Sequence, residues 1–375
     1  MHAPLSHLRR IAVRILSVAA VLGPAAAQTP GPPAWPLTEI ARLTYEGEIN
    51  QRAIAAGARL YFTTRRGWIY AVDAERRTVS WRFGAEAPFY RPPAVAGSLI
   101  AAVDEDRTIY CVNTDGLLNW AYRGDSPAAA DPLWLGSRLI VALRSGLIIA
   151  LNAEHPGELW RSVFEKDLVR STAVWRGRVL CACRDGWIRI LDAEGRAAGA
   201  LDAGGPLAGP LTIEEDRIYA GREDGVLCAL DARDGSVVWR MRIGGELTGP
   251  AVIDGRRLYL SCGNGVLFAM NKNGGDILWW RPLPSRLVFS PVLWRNRVVA
   301  AAASKILSSF QPRTGLPAGE YTGTADWKAD PQERDGQLLL HIYDPDAREG
   351  TLLFLGLPNP APAKTDAPIK GAKSP

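Results

Sequence analysis

A phrase of short apolar runs and turn residues returns about every 40 residues along this chain of 375 residues. Its clearest copy runs from Asp224 to Trp239 as Asp-Gly-Val-Leu-Cys-Ala-Leu-Asp-Ala-Arg-Asp-Gly-Ser-Val-Val-Trp. Copies of the phrase end at Trp81, Trp120, Trp160, Trp239 and Trp279. A period of this length is typical of proteins that repeat one small unit around a ring or along a solenoid. Because a buried indole usually needs a partner for its ring N–H, these tryptophans are predicted to be packing devices of the repeat.

Each unit divides into four short strands. In the unit that begins at Pro250, the turn residues Asp254-Gly255, Gly263-Asn264-Gly265 and Asn273-Gly274-Gly275 separate apolar runs, which is the pattern of antiparallel hairpins. The frame fits eight times, and its first strands begin at Arg52, Pro93, Pro132, Thr172, Pro210, Pro250, Pro291 and Pro331. In the outer-strand tryptophan column, Ala198 stands in the fourth unit and Gly319 in the seventh.

The eighth unit stops before its fourth strand. Residues Glu39 to Thr44, with Ile40 at the tryptophan offset, precede the first unit by the distance that would supply this missing strand. Closing a ring with strands from both chain ends removes the open sheet edges that invite aggregation. The predicted fold is therefore all-β, an eight-bladed β-propeller of four-stranded blades over residues 39–356, with the last blade closed by an N-terminal strand.

Three segments flank the predicted propeller. Residues 1–27 combine three arginines, an apolar run over 11–22 and three alanines before Gln28, a pattern typical of a signal peptide. Residues 28–38 form a Pro-rich lead-in, and residues 357–375, rich in Pro and Lys, are predicted to be disordered. We therefore expect an exported, periplasmic protein, with no transmembrane span in the mature chain.

The charge balance does not favour nucleic acid as a partner. Residues 1–27 hold three arginines and no acidic residue, so the 44 Lys and Arg of the chain fall to 41 beyond this segment, against 39 Asp and Glu. Domains that bind nucleic acid usually carry a strong basic excess, and this chain is close to neutral. The five cysteines include no Cys-x-x-Cys pair and are interpreted as small buried residues.

The repeat resembles the pyrroloquinoline-quinone-type (PQQ-like) β-propeller superfamily. The matching pattern is a turn glycine, an apolar-Ala-apolar strand, Asp-Ala, a second turn glycine and the outer tryptophan, seen best over Gly225–Trp239, Gly67–Trp81 and Gly265–Trp279. The resemblance implies two possible functions. Quinoprotein dehydrogenases bind the quinone and calcium at one mouth of the ring and use an Asp as base. The outer-membrane assembly factor BamB is an eight-bladed scaffold without a cofactor.

This chain is similar to BamB in blade number, length and export signal, but it has no cysteine for a lipid anchor near the expected cleavage site. It also lacks the adjacent cysteine pair of many quinoproteins, and its units of about 40 residues leave no room for long insertions over the mouth. No catalytic, cofactor-binding or metal-binding residue is therefore predicted. A PQQ-binding dehydrogenase with calcium, or its accessory or sensor subunit, remains the alternative.

Function is expected where residues break the repeat. Charged residues precede several inner strands, where other units carry Gly209, Gly249 or Ser290, and aromatic residues occupy two connections between units. The candidate interaction rim consists of Arg52, Arg91, Asp131, Arg170, Asp330, Phe89, Tyr90 and Phe289. Internal ion pairs, a solvated rim or loop packing are the alternative roles. We predict a non-catalytic, monomeric scaffold that binds a periplasmic or outer-membrane protein or peptide, with outer-membrane protein assembly as the candidate process.

Overall fold

The computed structural model describes residues 33–164 and 168–358, with the backbone alone for residues 168–170. These residues form eight antiparallel sheets of four strands each, arranged in a ring, so the predicted eight-bladed β-propeller is confirmed. The predicted signal peptide and the tail from residue 359 lie outside the described residues. Over the described ranges the chain forms no helix of a length and apolarity that would cross a membrane.

The inner-to-outer order within a blade follows the chain. The first four blades contain β2 (Ile54–Ala56), β3 (Arg59–Thr63), β4 (Trp68–Asp73) and β5 (Thr78–Gly84); β6 (Ala94–Ala96), β7 (Leu99–Val103), β8 (Thr108–Asn113) and β9 (Leu118–Arg123); β10 (Leu133–Leu135), β11 (Arg138–Ala142), β12 (Leu147–Asn152) and β13 (Glu158–Val163); β14 (Leu168–Trp175), β15 (Arg178–Cys183), β16 (Trp187–Leu191) and β17 (Ala197–Asp202). The next three contain β18 (Thr212–Glu214), β19 (Arg217–Gly221), β20 (Val226–Asp231) and β21 (Val237–Arg242); β22 (Val252–Asp254), β23 (Arg257–Ser261), β24 (Val266–Asn271) and β25 (Ile277–Pro282); β26 (Val292–Trp294), β27 (Arg297–Ala301), β28 (Ile306–Phe310) and β29 (Pro317–Thr322). The eighth blade contains β30 (Gln332–Arg334), β31 (Gln337–Asp344), β32 (Glu349–Gly356) and β1 (Thr38–Glu46).

The last blade is closed by the N-terminal strand, as the sequence predicts. β1 pairs antiparallel with β32 from Thr38 opposite Gly356 to Glu46 opposite Glu349. The register differs from the prediction by one residue, because Ala41 and not Ile40 lies opposite Phe354. Ile40 is the extra residue of a β-bulge, an irregularity that spacing alone does not reveal.

The first strands of the blades line the central channel. β2 lies against β6, β6 against β10, β10 against β14 and β26 against β30. Antiparallel order then places the connections between blades, and the turns between second and third strands, on one face, here named the connection face. The other two turns of each blade lie on the opposite face, named the turn face. Residues just before a first strand therefore surround the channel mouth on the connection face.

The outer tryptophans join each blade to the next. Each indole N–H donates to a backbone carbonyl 33 residues later, as in Trp239 to Lys272 and Trp279 to Pro312, both at 2.9 Å. The equivalent bonds join Trp81 to Thr114 at 2.6 Å, Trp120 to Ala153 at 2.9 Å and Trp160 to Ala193 at 2.9 Å. A turn glycine with positive φ lies against the ring of every one of these tryptophans except Trp120, and a Cβ at Gly275 would stand 2.5 Å from a Trp239 ring carbon. Only glycine fits both the conformation and the space.

The fourth and seventh blades lack this tryptophan. In the fourth blade the structure places Gly199, not Ala198, opposite Ile190, and Ala198 is the bulge residue. The turn before β17 is one residue shorter than in most blades, and the prediction was wrong by one because it allowed for a turn two residues shorter. Both blades instead carry a tryptophan at the end of the inner strand. Trp175 donates to the Glu215 carbonyl and Trp294 to the Gly336 carbonyl of the next blade, each at 2.9 Å.

The described part of the Pro-rich lead-in packs on the seventh blade. The Trp35 N–H donates to the Glu320 carbonyl at 2.8 Å, and the Glu320 N–H donates to the Pro33 carbonyl at 3.0 Å, so the lead-in pairs with the edge of β29. The buried Trp35 ring lies against Gly319 and edge-on to Trp294, with ring centroids 5.3 Å apart. The lead-in thus places an aromatic ring beside the glycine that replaces the outer tryptophan.

Candidate functional site

The charged residues predicted to surround the channel mouth lie at the starts of the inner strands. Arg52, Arg91, Asp131 and Asp330 precede β2, β6, β10 and β30, in the first, second, third and eighth blades. They therefore occupy one continuous half of the ring, and we name these four residues the mouth cluster. The side chain of Arg170, the fifth charged residue of the predicted rim, lies outside the described residues.

Asp131 is the centre of the ion pairs in the mouth cluster. Its Oδ2 lies 3.1 Å from Nη2 of Arg52, two blades away, and its Oδ1 lies 3.7 Å from Nη1 of Arg91. Arg91 also donates to the Ala129 carbonyl at 2.7 Å. Burial raises the pKa of the Asp131 carboxyl, although both arginines oppose that rise. These pairs hold the first three blades together at the mouth.

Asp330 joins the eighth blade to its neighbours. Its Oδ1 accepts the Ser290 N–H at 3.0 Å, and its own N–H donates to the Gln51 carbonyl at 2.8 Å. Burial raises the pKa of Asp330 to about 6, and the Asp131 charge adds to the rise, while the Ser290 N–H and Arg52 act against it. A carboxyl with this pKa changes charge just below neutral pH.

The mouth cluster retains hydrogen-bonding capacity. Arg52 Nε, Ser290 Oγ and Gln332 Oε1 are buried atoms without a hydrogen-bond partner among the described residues. The sequence prediction missed Gln332, whose amide donates to the Ala53 carbonyl of the first blade, and treated Ser290 as a small filler. Both are polar residues at inner-strand starts of the repeat frame, and this position is the signal that could have identified them. These three atoms show where the packing at the channel mouth leaves buried polar groups unpaired.

In the remaining half of the mouth, the described side chains are neutral and closely packed. A Cβ at Gly249 would stand 2.1 Å from Ser290 Oγ, and one at Gly209 would stand 2.7 Å from the Leu247 carbonyl. The Leu211 N–H donates to Ser171 Oγ and the Ala251 N–H to Thr212 Oγ1, both at 2.8 Å. Among the described side chains, charge at the mouth is therefore concentrated on the side formed by blades eight, one, two and three.

Three aromatic side chains in the connections between blades were predicted to be exposed, and the prediction is correct for Tyr90 alone. Phe89 is 0% exposed and Phe289 is buried, so the prediction that these two are available to a partner is wrong. The connection folds back toward the following hairpin, because Phe89 forms a β-bridge with Asp104. Tyr90 is 43% exposed, and the Arg65 guanidinium lies 5.7 Å from the centre of its ring.

Comparisons with known proteins agree with this architecture. Among solved structures, the chain is similar to BamB from Moraxella catarrhalis, with a TM-score of 0.74 and 16% identity over 85% of this chain and 97% of that one. It is also similar to the computationally designed Ika8 protein, with a TM-score of 0.70 and 12% identity over 83% and 97% of the two chains. At such identities the likeness shows the fold alone. No curated protein matches the sequence.

A family model described as outer membrane protein assembly factor BamB matches residues 31–135, 145–248 and 223–341. Together these segments span most of the propeller, from the lead-in to the eighth blade. The PQQ-like resemblance seen in the repeat is therefore confirmed. This chain belongs to the PQQ-like β-propeller family of the outer membrane protein assembly factor BamB.

Proposed function

We propose that this protein is an exported, non-catalytic scaffold that binds a protein partner of outer-membrane assembly through the connection face. Family membership supports the coarse role. The observation that carries the proposal for the site is the mouth cluster, which places charge on one side of a rigid ring. Loops and rims held by a rigid scaffold are common binding surfaces, and oppositely charged groups guide the orientation of a partner.

The charge pattern suggests how the partner would be recognised. Arg52 and Asp131 are partly exposed at the mouth, whereas the Arg91 side chain is mostly buried beneath them. An extended segment that carries a carboxylate would compete with Asp131 for Arg52, and its N–H groups would find acceptors at Asp131 and Gln332. The Arg65–Tyr90 contact at the rim adds an exposed aromatic surface near Arg52. The scaffold would thus orient a peptide segment without reacting with it.

The quinoprotein alternative requires a calcium and quinone site that the described residues do not fit. Calcium needs six to eight oxygen ligands, and no group of three or more His, Cys, Asp or Glu side chains over 33–164 and 168–358 could hold a metal. Arg52 and Arg91 occupy the space beside Asp131, and the five cysteines are buried, free and none adjacent to another. No catalytic step is therefore assigned to this chain.

A charge-reversal pair tests the binding role. Arg52→Asp should break the contact with Asp131 and reduce recovery of barrel-assembly components in crosslinked pull-downs from cell-envelope extracts. Arg52→Asp combined with Asp131→Arg keeps an internal pair with reversed surface polarity, so it should restore stability but not recovery. Circular dichroism would verify that each variant is folded.

Three outcomes would count against the proposal. Recovery of no barrel-assembly component by the wild-type protein would refute the assembly role. Equal recovery by both variants and the wild type would remove the mouth cluster from the binding surface. A rise in melting temperature on adding pyrroloquinoline quinone with calcium would favour the cofactor alternative, since a ligand that binds the folded state stabilises it. Cell fractionation with N-terminal sequencing of the recovered protein tests export.

A further inference from the structure

The junction between the eighth and first blades differs from the other junctions of the ring. The tryptophan position of the eighth blade is Ala41, and its partner on β32 is the large Phe354, where the corresponding residues in the tryptophan-bearing blades are alanine or cysteine. The facing turn of the first blade carries Arg77 at φ 57°. The equivalent position is a glycine with positive φ in five other blades, Gly116, Gly195, Gly235, Gly275 and Gly315.

These substitutions leave a cavity of about 390 Å³ on the turn face, opposite the mouth cluster. Leu339 and Phe354, each 1% exposed, lie at its apolar base, with Ala58 and Ala74 beside them. Arg77 and Arg334 line its walls, and Glu75, Asp335 and Gln337 complete the lining. Volumes of this size are usual for small-ligand sites, in which an apolar surface is combined with a few polar groups.

Arg77 has unused hydrogen-bonding capacity, whereas Arg334 is partly engaged. Arg77 Nε is buried and has no hydrogen-bond partner among the described residues. No acidic side chain of residues 33–164 or 168–358 pairs with Arg77, whose guanidinium lies 5.7 Å from the centre of the Phe354 ring. Arg334 Nη2 donates to the Gly57 carbonyl, and its Nε lies 3.4 Å from Oδ2 of Asp335, but Asp335 is 80% exposed, so water weakens this pair. The walls can therefore receive an anion.

The floor of the cavity is suited to an aromatic ring. At three of the tryptophan-bearing junctions, the indole N–H reaches the carbonyl of the first residue after the third strand, namely Thr114, Ala153 and Lys272. Ala74 holds that position in the first blade, and no described side chain donates to its carbonyl. The cavity thus offers an apolar surface, a backbone acceptor and two guanidinium groups close together.

We propose that this junction cavity binds an aromatic carboxylate, meaning an aromatic ring with an acidic group close to it. The ring would lie on Leu339 and Phe354, and the carboxylate would pair with Arg77 and Arg334, since guanidinium groups bind carboxylates in a planar, two-point geometry. The source is either a small aromatic acid or an aromatic residue beside Asp or Glu in a polypeptide. This site is separate from the mouth cluster and does not depend on the proposed scaffold function.

The first experiment measures binding of matched probes by saturation-transfer NMR with the intact chain. N-acetyl-tryptophan is expected to bind at least tenfold more tightly than N-acetyl-tryptophanamide, which lacks the carboxylate, and than N-acetyl-leucine, which lacks the ring. Equal binding of the acid and the amide would overturn the proposal. The peptide Ser-Trp-Asp-Ser, blocked at both ends, distinguishes the sources: tighter binding than the free acid identifies a polypeptide ligand, and weaker binding identifies a small molecule.

Variants locate the binding in the cavity. Arg77→Gly should fold, because glycine holds this position in five other blades, and it should weaken N-acetyl-tryptophan binding at least fivefold. Ala41→Trp with Phe354→Ala and Arg77→Gly rebuilds the usual junction and should abolish binding by filling the cavity with the chain's own indole. Arg123→Gln, at an exposed arginine outside both candidate sites, should leave binding unchanged. Unaltered binding in Arg77→Gly, or an equal loss in Arg123→Gln, would refute the assignment.

Discussion

Replacing Asp330 with asparagine tests whether the mouth cluster is maintained at a cost in stability. Burial raises the pKa of Asp330 from 3.8 to about 6, because the charged form is poorly solvated between the eighth and first blades. A folded-state pKa above the unfolded value gives stability that is fully present below about pH 4 and is lost as the pH rises through 6. The wild-type protein should therefore lose stability from this group between pH 4 and pH 7.

The size of the effect follows from the shift. Two pKa units correspond to about 3 kcal/mol, and partial contact with channel water reduces the expected gain to about 1.5 to 3 kcal/mol at pH 8. Asparagine keeps an oxygen that can accept the Ser290 N–H, so the variant removes the charge and retains the hydrogen bond. At pH 4 the wild-type carboxyl is protonated, and the two proteins should be equally stable.

Urea unfolding at pH 8 and pH 4, followed by both tryptophan fluorescence and circular dichroism, measures the difference. Agreement of the two probes is needed, because repeat proteins can unfold in parts. Asp106→Asn, at a half-exposed carboxylate paired with Arg123, provides the control and should show little change at either pH. If Asp330→Asn is no more stable than the wild type at pH 8, or if its advantage is the same at both pH values, the reasoning is refuted.

Three further predictions concern the junctions between blades, each measured by urea unfolding. Gly315→Ala should destabilise by about 2 kcal/mol or more, because a Cβ would stand 2.5 Å from a Trp279 ring carbon at a backbone φ of 64°; an unchanged unfolding midpoint would contradict this account. Trp279→Phe should cost about 1 to 2 kcal/mol through loss of the bond to the Pro312 carbonyl, whereas Trp280→Phe, at a ring 49% exposed, should be nearly neutral. Trp35→Ala should cost about 3 kcal/mol and speed proteolysis of the lead-in, and a neutral result would show that its packing on blade seven is weak.

The fold was predictable because the repeat constrains it many times over. Every turn signal, apolar run and tryptophan recurs at the same offset, so an error in one unit is corrected by the other units. Closure by the N-terminal strand followed from the missing fourth strand of the last unit, and β1 pairs with β32 as expected. The one-residue errors at Ile40 and Ala198 both fall on the bulge of the outer strand, where turn length varies between blades.

The site was less predictable, since it depends on contacts across the ring. Spacing placed Arg52 and Asp131 at the mouth, but it could not show that Arg52 reaches across the second blade to pair with Asp131. The sequence also could not predict which side chains of the connections between blades are exposed. Phe89 and Tyr90 are neighbours in the sequence, yet alternation along the bridged segment buries one ring and exposes the other. Arg77 is recognisable only when the turn between the third and fourth strands is aligned across the blades, because five other blades have glycine at this position.

Both candidate sites lie at the junction between the eighth and first blades, on opposite faces of the ring. The chain passes from β1 of the eighth blade directly into β2 of the first, and the ring is closed within the eighth blade by the pairing of β1 with β32. Asp330 and Arg52 lie on its connection face, whereas Phe354 and Arg77 lie on its turn face. A ligand that contacts both blades on either face adds to the free energy of closure, because it binds only the closed ring. Loss of the outer tryptophan at this junction therefore weakens the closure of the ring and creates the space through which a ligand can strengthen it.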